Sequence, residues 1–432
     1  MARNNELQKR LLFVIAMVIV YRLGVHVPVP GVDASAVTTF FQDKSSTLFG
    51  LFNTFSGGAL KRFSVFALGI MPYISSSIIF QLLTTAVPYL EALKKEGEAG
   101  RKKITQLTRY GTVVLAVIQG LGIASWLENQ VIDGRAIVTS AAVGILSFKV
   151  MTVLSLTAGT CFVMWLGEQI TERGIGNGSS IIIFTGIVAD IPSAAVSLME
   201  QVKTGNIAGA LAFILILFMI GIIGLIIFLE VGQRRIPIQY SGRTAGPAMN
   251  AAMSHLPLKI NFSGVIPPIF ASSLLMFPAT MAQFIDNPWL RKIQESVGPG
   301  GTIYNILFVA LIVFFCFFYT EIVFNPNDVA ENLKKYGGFI PGVRAGKSTA
   351  DYIQKVIERI NVGGAIYLSV LCVLPTLLVN QMKVPFYFGG TGLLIVVGVA
   401  LDTSQQIQSY LLTSKYEGLV KNVKIRSRRV QF

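Results

Sequence analysis

The sequence predicts an all-α polytopic membrane protein, with ten transmembrane helices in two pseudo-symmetric five-helix halves around a central pore. Of the 432 residues, 53% are hydrophobic and only 13% are charged, which excludes an ordinary soluble domain. Apolar stretches of about 20 residues, the length that crosses a hydrocarbon core, recur along the chain. The ten predicted spans are residues 11–29, 67–90, 111–127, 150–167, 179–198, 207–229, 263–285, 303–324, 362–380 and 387–410.

The even number of spans predicts two halves of similar size. The N-terminal half, residues 1–206, holds spans one to five, and the C-terminal half, residues 207–432, holds spans six to ten. A unit with an odd number of spans, used twice, gives halves of opposite orientation, as in many transport proteins. The sequence contains no convincing internal repeat, so this division depends on the span count alone.

The basic residues predict the orientation of the chain. The net charge is +14, and 26 of the 36 lysines and arginines fall in segments on the same side of the membrane as the N-terminus. Basic loops remain on the cytoplasmic side, so we expect both termini to be cytoplasmic. The basic N-terminus before an apolar run imitates a signal peptide, but no A-x-A-like site follows. We therefore expect a retained first span, with Arg22 reaching toward the far interface.

The second span carries no charge from Phe63 to Leu90, yet one of its helical faces does not suit lipid. A polar stripe on a membrane helix faces either a polar partner or water inside the protein. The residues on this face are two isoleucines followed by polar groups, namely Ile70, Ile74, Ser77, Gln81, Thr84 and Thr85.

The tenth span repeats this pattern. After its isoleucine, polar residues follow at offsets of 7, 11 and 14, as they follow Ile70; these residues are Ile395, Asp402, Gln406 and Ser409. We favour an aqueous cavity lined by both helices. The alternative is that helical offsets recur by chance and that polar side chains only join neighbouring helices.

Two segments depart from the pattern of straight spanning helices. The first outer segment, 30–66, contains FNTFSGGALKRFS, which is too short and too polar to span the membrane and is expected to re-enter the protein. Prolines 267, 268 and 278 interrupt the seventh span close to Ser273. They predict either a kinked helix that moves against its neighbours or a static bend around a packed core.

The two long cytoplasmic loops, 230–262 and 325–361, are expected to be functional, because loops of this length between spans usually are. The second loop is predicted to contain its own amphipathic helix, whose apolar side is formed by Tyr352, Ile353, Val356, Ile357 and Ile360. Basic residues in such loops can serve topology alone. Arg344 differs because it lies at the tip of the glycine-flanked segment FIPGVRAG, where an arginine is placed for an acidic surface or backbone of a partner.

No motif predicts catalysis or a metal site. The three cysteines lie in apolar runs, the two histidines are isolated, and no HExxH or CxxC pattern occurs. The segment GVRAGKS at 342–348 is one residue too short for a phosphate loop, and Ser179 stands where a dinucleotide fingerprint needs its last glycine. We therefore expect neither an enzyme nor a bound cofactor.

Two other classes of function compete with a channel. A secondary transporter would use Asp402 as a proton or cation site, since acids inside membrane spans are often functional. Glu321, the other acid inside a span, lies near the cytoplasmic end and is expected to reach water. An intramembrane enzyme would need a nucleophile with its base, or a metal set, and the sequence offers neither.

Several motifs together carry a resemblance to a known family. They include FSGGAL, FALGIMPYISSSIIFQLL, KKEGEAGRKKITQLTRYG, MWLGEQITERGIGNG, GVIPPIFASSLLMFPAT, ENLKKYGGFIPGVRAG and KVPFYFGGTGLLIVV. The chain resembles the SecY family, the central channel subunits of the bacterial protein-conducting translocon, from about Leu11 to Val420. The function that this implies is the passage of unfolded secretory polypeptides across the cytoplasmic (inner) membrane and the sideways release of hydrophobic segments into the bilayer.

The resemblance implies an hourglass pore between the two halves, closed by a ring of apolar side chains and by a plug. Matched by their local motifs, the ring members are Ile70, Ile74, Ile183, Ile269 and Ile395. Ser179 stands where the family often has a further isoleucine, so that position of the ring is polar in this chain. The plug region, Phe52–Phe66, includes the residues Phe52, Phe55, Gly57, Gly58, Leu60 and Phe63.

The resemblance also implies a lateral gate and several partners. The gate lies between the second and seventh spans, and its candidate residues are Ser77, Gln81, Ser273 and Phe277. The two cytoplasmic loops would dock the SecA ATPase motor or the ribosome through Arg234, Arg235, Arg243, Lys334, Lys335, Arg344 and Lys347. SecE-like and SecG-like small membrane subunits, signal peptides, unfolded polypeptides and membrane lipid complete the implied partners.

Overall fold

A computed structural model of the chain describes most of its residues. These are residues 4–32, 37, 53, 55–128, 131–132, 135–136, 138, 147–205, 207–240, 254–284, 301–382 and 390–422. Their helices are α1 (Asn4–Gly24), α2 (Met71–Ala86), α3 (Pro88–Lys95), α4 (Glu98–Glu128), α5 (Phe148–Arg173), α6 (Gly178–Lys203), α7 (Gly209–Val231), α8 (Ile266–Phe284), α9 (Thr302–Val323), α10 (Pro326–Lys335), α11 (Lys347–Met382) and α12 (Gly390–Asn422). Their strands are β1 (Val131–Ile132), β2 (Arg135–Ala136), β3 (Gln233–Tyr240), β4 (Ser254–Lys259) and β5 (Gly338–Phe339).

The architecture confirms a helical polytopic membrane fold. Each of the ten predicted spans overlaps a helix of at least 16 residues, and among the described helices the short α3 and α10 have no predicted span of their own. Within the described ranges, six helices are long and apolar enough to cross a membrane unaided, or seven if the bent pair α2 and α3 counts as one span. The remaining long helices, α1, α8 and α12, accompany them in the bundle.

The second span is not the single helix that the sequence predicts over 67–90. Helix α2 begins only at Met71, and Ile70 is its N-cap residue. It ends at Ala86, and α3 leaves at an angle of 97°. The break falls at Val87, which is extended, because a proline at position 88 disfavours helical backbone in the residue before it. The helix of the second span is therefore shorter than predicted, although the whole polar stripe from Ile70 to Thr85 lies within it and its N-cap.

The two long loops predicted to be cytoplasmic are joined in one small folded unit, which we call the cytoplasmic module after that prediction (residues 233–240, 254–259 and 326–360). Strand β3 lies at the centre of a three-stranded antiparallel sheet, with β4 on one side and β5 from the other loop on its far side. The predicted amphipathic helix is present, but it is not separate, because it is the first part of α11, which continues into the ninth span, and Tyr352 is exposed on it. Its apolar side packs into a core of Ile236, Ile238, Leu258, Leu333, Ile340, Ile353, Val356 and Ile357.

The long helices pack in two groups that meet along two seams. In the first group, α4 packs on α2 and α5, and α5 packs on α1 and α6. In the second group, α9 packs on α8 and α11, and α12 packs on α11 and α7. One seam brings α8 against α2 and α4. The other brings α6 against α12 and α7. The chain passes from the first group to the second between α6 and α7, at the second of these seams.

Candidate functional site

The centre of the bundle contains a continuous apolar cluster. The five isoleucines predicted to form a ring all belong to it, and each is at most 7% exposed; they are Ile70, Ile74, Ile183, Ile269 and Ile395. They come from α2, α6, α8 and α12, so helices of both groups contribute. On α5, Gly167 lies beside this cluster, since a Cβ added there would be in van der Waals contact with Cδ1 of Ile70 at 3.5 Å.

An open polar pocket lies next to the buried cluster. It has a volume of about 290 Å³ and is lined by Asn177, Ser180, Val399, Asp402, Thr403, Gln405, Gln406 and Ser409. Helix α12 therefore passes from the fully buried Ile395 to exposed polar side chains within two turns. The backbone N–H of Gly176 donates to Oε1 of Gln406 over 2.7 Å, which joins the loop before α6 to α12 across the second seam.

The polar stripe of α2 does not line this pocket, so the cavity predicted to be shared by α2 and α12 stays a prediction. Its residues instead bond locally: the side chain of Gln81 donates to Oγ of Ser77 over 3.1 Å, and Thr84 donates to the carbonyl of Gln81. The pocket wall comes from the beginning of α6 and from α12. The sequence singled out α12 correctly but had no signal for α6, whose pocket residues are polar positions at a helix N-terminus.

The segment 55–66, called the plug below, is packed into the same apolar cluster. Phe55, Leu60 and Phe63 are buried, whereas Phe52 lies outside the described residues. The backbone N–H of Val29 donates to the carbonyl of Phe63 over 3.0 Å, and the N–H of Val65 donates to the carbonyl of Val27 over 2.9 Å. The C-terminal end of the plug is thus fixed to the residues that follow α1.

The N-terminal end of the plug is held by the last turns of α1. The hydroxyl of Tyr21 donates to the carbonyl of Ser56, and Nη1 of Arg22 donates to the carbonyl of Gly57, each over 3.0 Å. Arg22 was predicted to reach toward the far interface, which stays a prediction; its guanidinium contacts the backbone of the plug. The sequence gives no direct signal for this contact, because its partner is a backbone carbonyl 35 residues away.

The backbone conformation of the plug explains why FSGGAL contains two consecutive glycines. Gly57 and Gly58 have φ values of 65° and 82°, a region that favours glycine. A Cβ at Gly57 would also lie only 2.7 Å from Cα of Gly186 on α6. The plug therefore approaches α6 by a contact of two glycine backbones, and a side chain at this position would push them apart.

The predicted gate helices are neighbours, since α2 and α4 both pack against α8. Ser273 on α8 is 2% exposed, and its hydroxyl has no hydrogen-bond partner among the described residues. Gln81 is half-buried on α2, and the hydroxyl of Ser76 donates to the carbonyl of Thr108 over 2.8 Å, which joins α2 to α4. The side chain of Phe277 lies outside the described part of the structure.

The basic side chains predicted to bind partners lie on the surface of the cytoplasmic module. Those described are all exposed, namely Arg234, Arg235, Lys334, Lys335, Arg344 and Lys347, and Arg243 lies outside the described residues. Arg344 is at the tip of a turn between Gly342 and Gly346, which have φ values of 83° and 102°. The hydroxyl of Thr349 donates to the Arg344 carbonyl over 2.9 Å and holds this turn against α11.

A buried polar network that sequence reasoning missed joins the module to the membrane helices. Nδ2 of Asn261 donates to Oε1 of Glu230 over 2.6 Å, and Oγ of Ser263 donates to Oδ1 of Asn261 over 3.2 Å. Asn361 on α11 donates to the carbonyl of Cys316 and accepts from Thr320. Residues 260–265 link β4 to α8, so this network fixes the start of the candidate gate helix.

The glycine-rich segments serve as turns and caps. Asn177 precedes α6 and accepts hydrogen bonds from the N–H groups of Ser179 and Ser180, the usual role of an N-cap asparagine. The segment 342–348 forms the turn that carries Arg344. In the described part of the chain, no group of three or more His, Cys, Asp or Glu is placed to hold a metal ion.

A bundle of long apolar helices with a sealed apolar centre and an adjoining open polar pocket defines a membrane channel or transport protein. Residues 64–404 match the family model described as SecY. The chain is also 49% identical over 428 residues to the protein translocase subunit SecY of Escherichia coli K12, with 98% of this chain and 96% of that protein covered. The chain therefore belongs to the SecY family, multi-pass membrane proteins that are subunits of a protein translocase.

Solved structures of the same fold agree with this assignment. One is a SecY whose plug domain is described as stabilising the closed state of the translocation channel and maintaining a membrane seal, with a TM-score of 0.66 and 17% identity. Another is Sec61 in the canine ribosome–channel complex, with a TM-score of 0.65 and 16% identity. In both comparisons 94% of this chain and 93% of the other are covered, which shows a common fold over nearly the whole length.

Proposed function

We propose that this chain is a protein-conducting channel, which passes unfolded secretory polypeptides across the cytoplasmic membrane and releases hydrophobic segments sideways into the bilayer. The observation that carries the proposal is the sealed cluster of five isoleucines from both helix groups, in a fold of the SecY family. We assign these isoleucines to a pore ring between the half 1–206 and the half 207–432. The plug closes the pore beside them.

The chemistry of the ring suits this function. An apolar constriction closes a pore by excluding water, without any charged gate. Aliphatic side chains also adapt to a passing chain of any sequence, because they make no directional bonds. Beyond the ring, Asp402, Gln406 and Ser409 line a wall that a hydrated chain passes without tight binding.

Sideways release requires the seam between α2 and α8 to separate. A segment exposed at this seam partitions between water and lipid. Each leucine in its centre contributes a few tenths of a kcal/mol toward the lipid, and each central charge costs about 2.5–3.5 kcal/mol. The seam supports this role because α8 meets α2 there directly, with Gln81 and Ser273 as candidate gate residues.

The force for transport must come from a partner, since no nucleotide site is assigned to this chain. The cytoplasmic module presents a rigid, basic surface, and its sheet and shared core hold Arg344, Arg234 and Lys334 in fixed relation. Such a surface suits an ATPase motor of the SecA type or a ribosome. SecE-like and SecG-like subunits are the further membrane partners we expect, with both termini of this chain in the cytoplasm.

The alternative of a secondary transporter has less support. It requires Asp402 to be a shielded proton or cation site, but this side chain is exposed on the wall of an open pocket. An exposed carboxylate exchanges freely with water and selects no ion by its geometry. A sharp loss of saturable solute uptake in Asp402→Asn would favour the transporter over the channel.

Cysteines at Gln81 and Ser273 should form a crosslink that blocks polypeptide transport, because closing the α2–α8 seam prevents a signal peptide from inserting there. The measurement is export into inverted membrane vesicles, with Cys161, Cys316 and Cys372 replaced by alanine, before and after treatment with a short bis-maleimide, which adds one cysteine thiol at each end. Pairing Gln81→Cys with Leu274→Cys is the control, since Leu274 is 41% exposed on the neighbouring position of α8. Full export in the crosslinked Gln81–Ser273 variant would exclude this seam as the gate.

Alanine at Gly57 should open the plug. The added methyl carbon meets Cα of Gly186 at 2.7 Å, and overpacking of this kind costs about 1–3 kcal/mol, so we expect the ion leak of the idle channel to rise about fivefold or more. The leak is measured as conductance in planar bilayers with the reconstituted complex.

Gly205→Ala is the matched control for Gly57→Ala. Gly205 has a similar φ of 75°, but an added Cβ there would meet no atom within 4 Å. It therefore carries the backbone strain of alanine without the clash. An equal leak in both variants would attribute the effect to strain alone and contradict the plug contact.

A further inference from the structure

Helix α6 carries an acidic residue, Asp190, on the side that faces the plug. Gly57 and Gly58 of the plug lie against two successive turns of α6 on this side. The Cβ position of Gly57 is 2.7 Å from Cα of Gly186, and the Cβ position of Gly58 is 3.9 Å from Oδ1 of Asp190. The half-buried carboxylate is therefore adjacent to the backbone of the plug.

Three cations surround Asp190 among the described residues. Arg22 on α1 and both Lys61 and Arg62 on the plug act electrostatically on its carboxylate. Arg22 also donates to the carbonyl of Gly57, so it touches the plug and lies beside the acid at the same time. A half-buried carboxylate is costly unless it is paired, and here the plug itself supplies two of the three cations.

We propose that Asp190 is a plug-retaining residue, which holds the cationic Lys61–Arg62 part of the plug and Arg22 against α6 in the closed channel. This inference rests on the proposed function of residues 55–66 as a plug. Arg22 is on α1, which contacts α6 directly, so this cation stays near Asp190 when the plug leaves. One of the three cations then still acts on the carboxylate, and opening the plug removes only part of its electrostatic stabilisation.

The test is the idle ion conductance of the reconstituted complex in planar bilayers. Asp190→Asn removes the charge and keeps the shape. Partly exposed ion pairs are weak, so we expect the leak to rise about two- to fivefold at about 0.1 M salt. Glu200→Gln is the matched control on the same helix, because Glu200 is exposed and distant from the plug, and its leak should stay at the wild-type value.

High salt and an exchange of the two charges distinguish an electrostatic effect of Asp190→Asn from an effect on packing. At about 1 M salt the screening length is ~3 Å, so the leaks of wild type and Asp190→Asn should converge. Asp190→Lys should leak more than Asp190→Asn, and adding Lys61→Asp to it should restore part of the closure. A leak in Asp190→Asn that neither salt nor charge exchange changes would overturn the proposal in favour of simple packing.

A variant lacking residues 55–62 distinguishes the failure of this inference from the failure of the proposed plug. If that deletion leaks and Asp190→Asn does not, the plug stands and the role of Asp190 is wrong. If the deletion variant stays as tight as wild type, the segment is not a plug and the proposed closure mechanism fails with it.

Discussion

Asparagine in place of Ile395 is expected to raise the ion leak of the idle channel about tenfold or more. The reason is that stabilising the water-filled pore by about 1.4 kcal/mol relative to the dry pore raises the population of the water-filled pore tenfold. Ile395 is fully buried at the centre of the apolar cluster. An amide there attracts water, since burying an unpaired amide costs more than this amount. Ile70→Asn should act in the same direction from the other helix group. Both effects are measured as conductance of the reconstituted complex in planar bilayers.

Two controls make this result specific for the ring. Ile395→Val keeps the site apolar and should seal nearly as well as wild type. Ile79→Asn introduces the same amide on α2 at a position that is 42% exposed, away from the cluster, and should leave the conductance unchanged. An Ile395→Asn channel that inserts normally and conducts like wild type would contradict the ring assignment.

Glutamate at Arg344 is expected to reduce motor-driven export about tenfold or more, because reversing a charge at the centre of an interface typically costs at least 2 kcal/mol of binding. The side chain is exposed at the tip of a turn whose backbone is fixed by Thr349, so the change should leave the module folded. The measurement is export of a secretory precursor into inverted vesicles at a limiting concentration of the motor.

The matched control for Arg344→Glu is Lys355→Glu, an equal charge reversal at an exposed position on α11 of the same module. It should export at nearly the wild-type rate if the position of the charge matters. Arg344→Lys should fall between the two, because lysine retains the charge but loses the planar fork of donors. Equal losses in Arg344→Glu and Lys355→Glu would point to the net charge of the surface and not to a docking arginine.

The spans could be predicted because the signal for a membrane helix is local. About 20 consecutive apolar residues are enough, whatever lies elsewhere in the chain. Ile395 on α12 could also be found from a local signal, because the change from this isoleucine to the polar Asp402 and Gln406 occurs within one helix. Helix α12 lines an open pocket, in agreement with the predicted aqueous wall. Helix α2 does not line that pocket.

The missed features depend on contacts that are distant in sequence. Strand β3 alternates polar residues with Ile236 and Ile238, a strand pattern, but its second partner, β5, lies about 100 residues further along the chain. The contact of Arg22 with the plug ends on a backbone carbonyl, which has no residue signature. The break at Val87 did have a local signal, the proline that follows, and the length of the apolar run concealed it.

The sequence by itself determined that this chain crosses a membrane many times, and its motifs determined its family, because apolar length and local motifs are properties of neighbouring residues. Only the tertiary structure decided that the two long loops form one module, that Arg22 and Tyr21 hold the plug, and that Asp190 faces its cations. These contacts join segments whose separation in the chain carries no information about their distance in space. Packing of the helices sets that distance, and packing is a property of the whole fold.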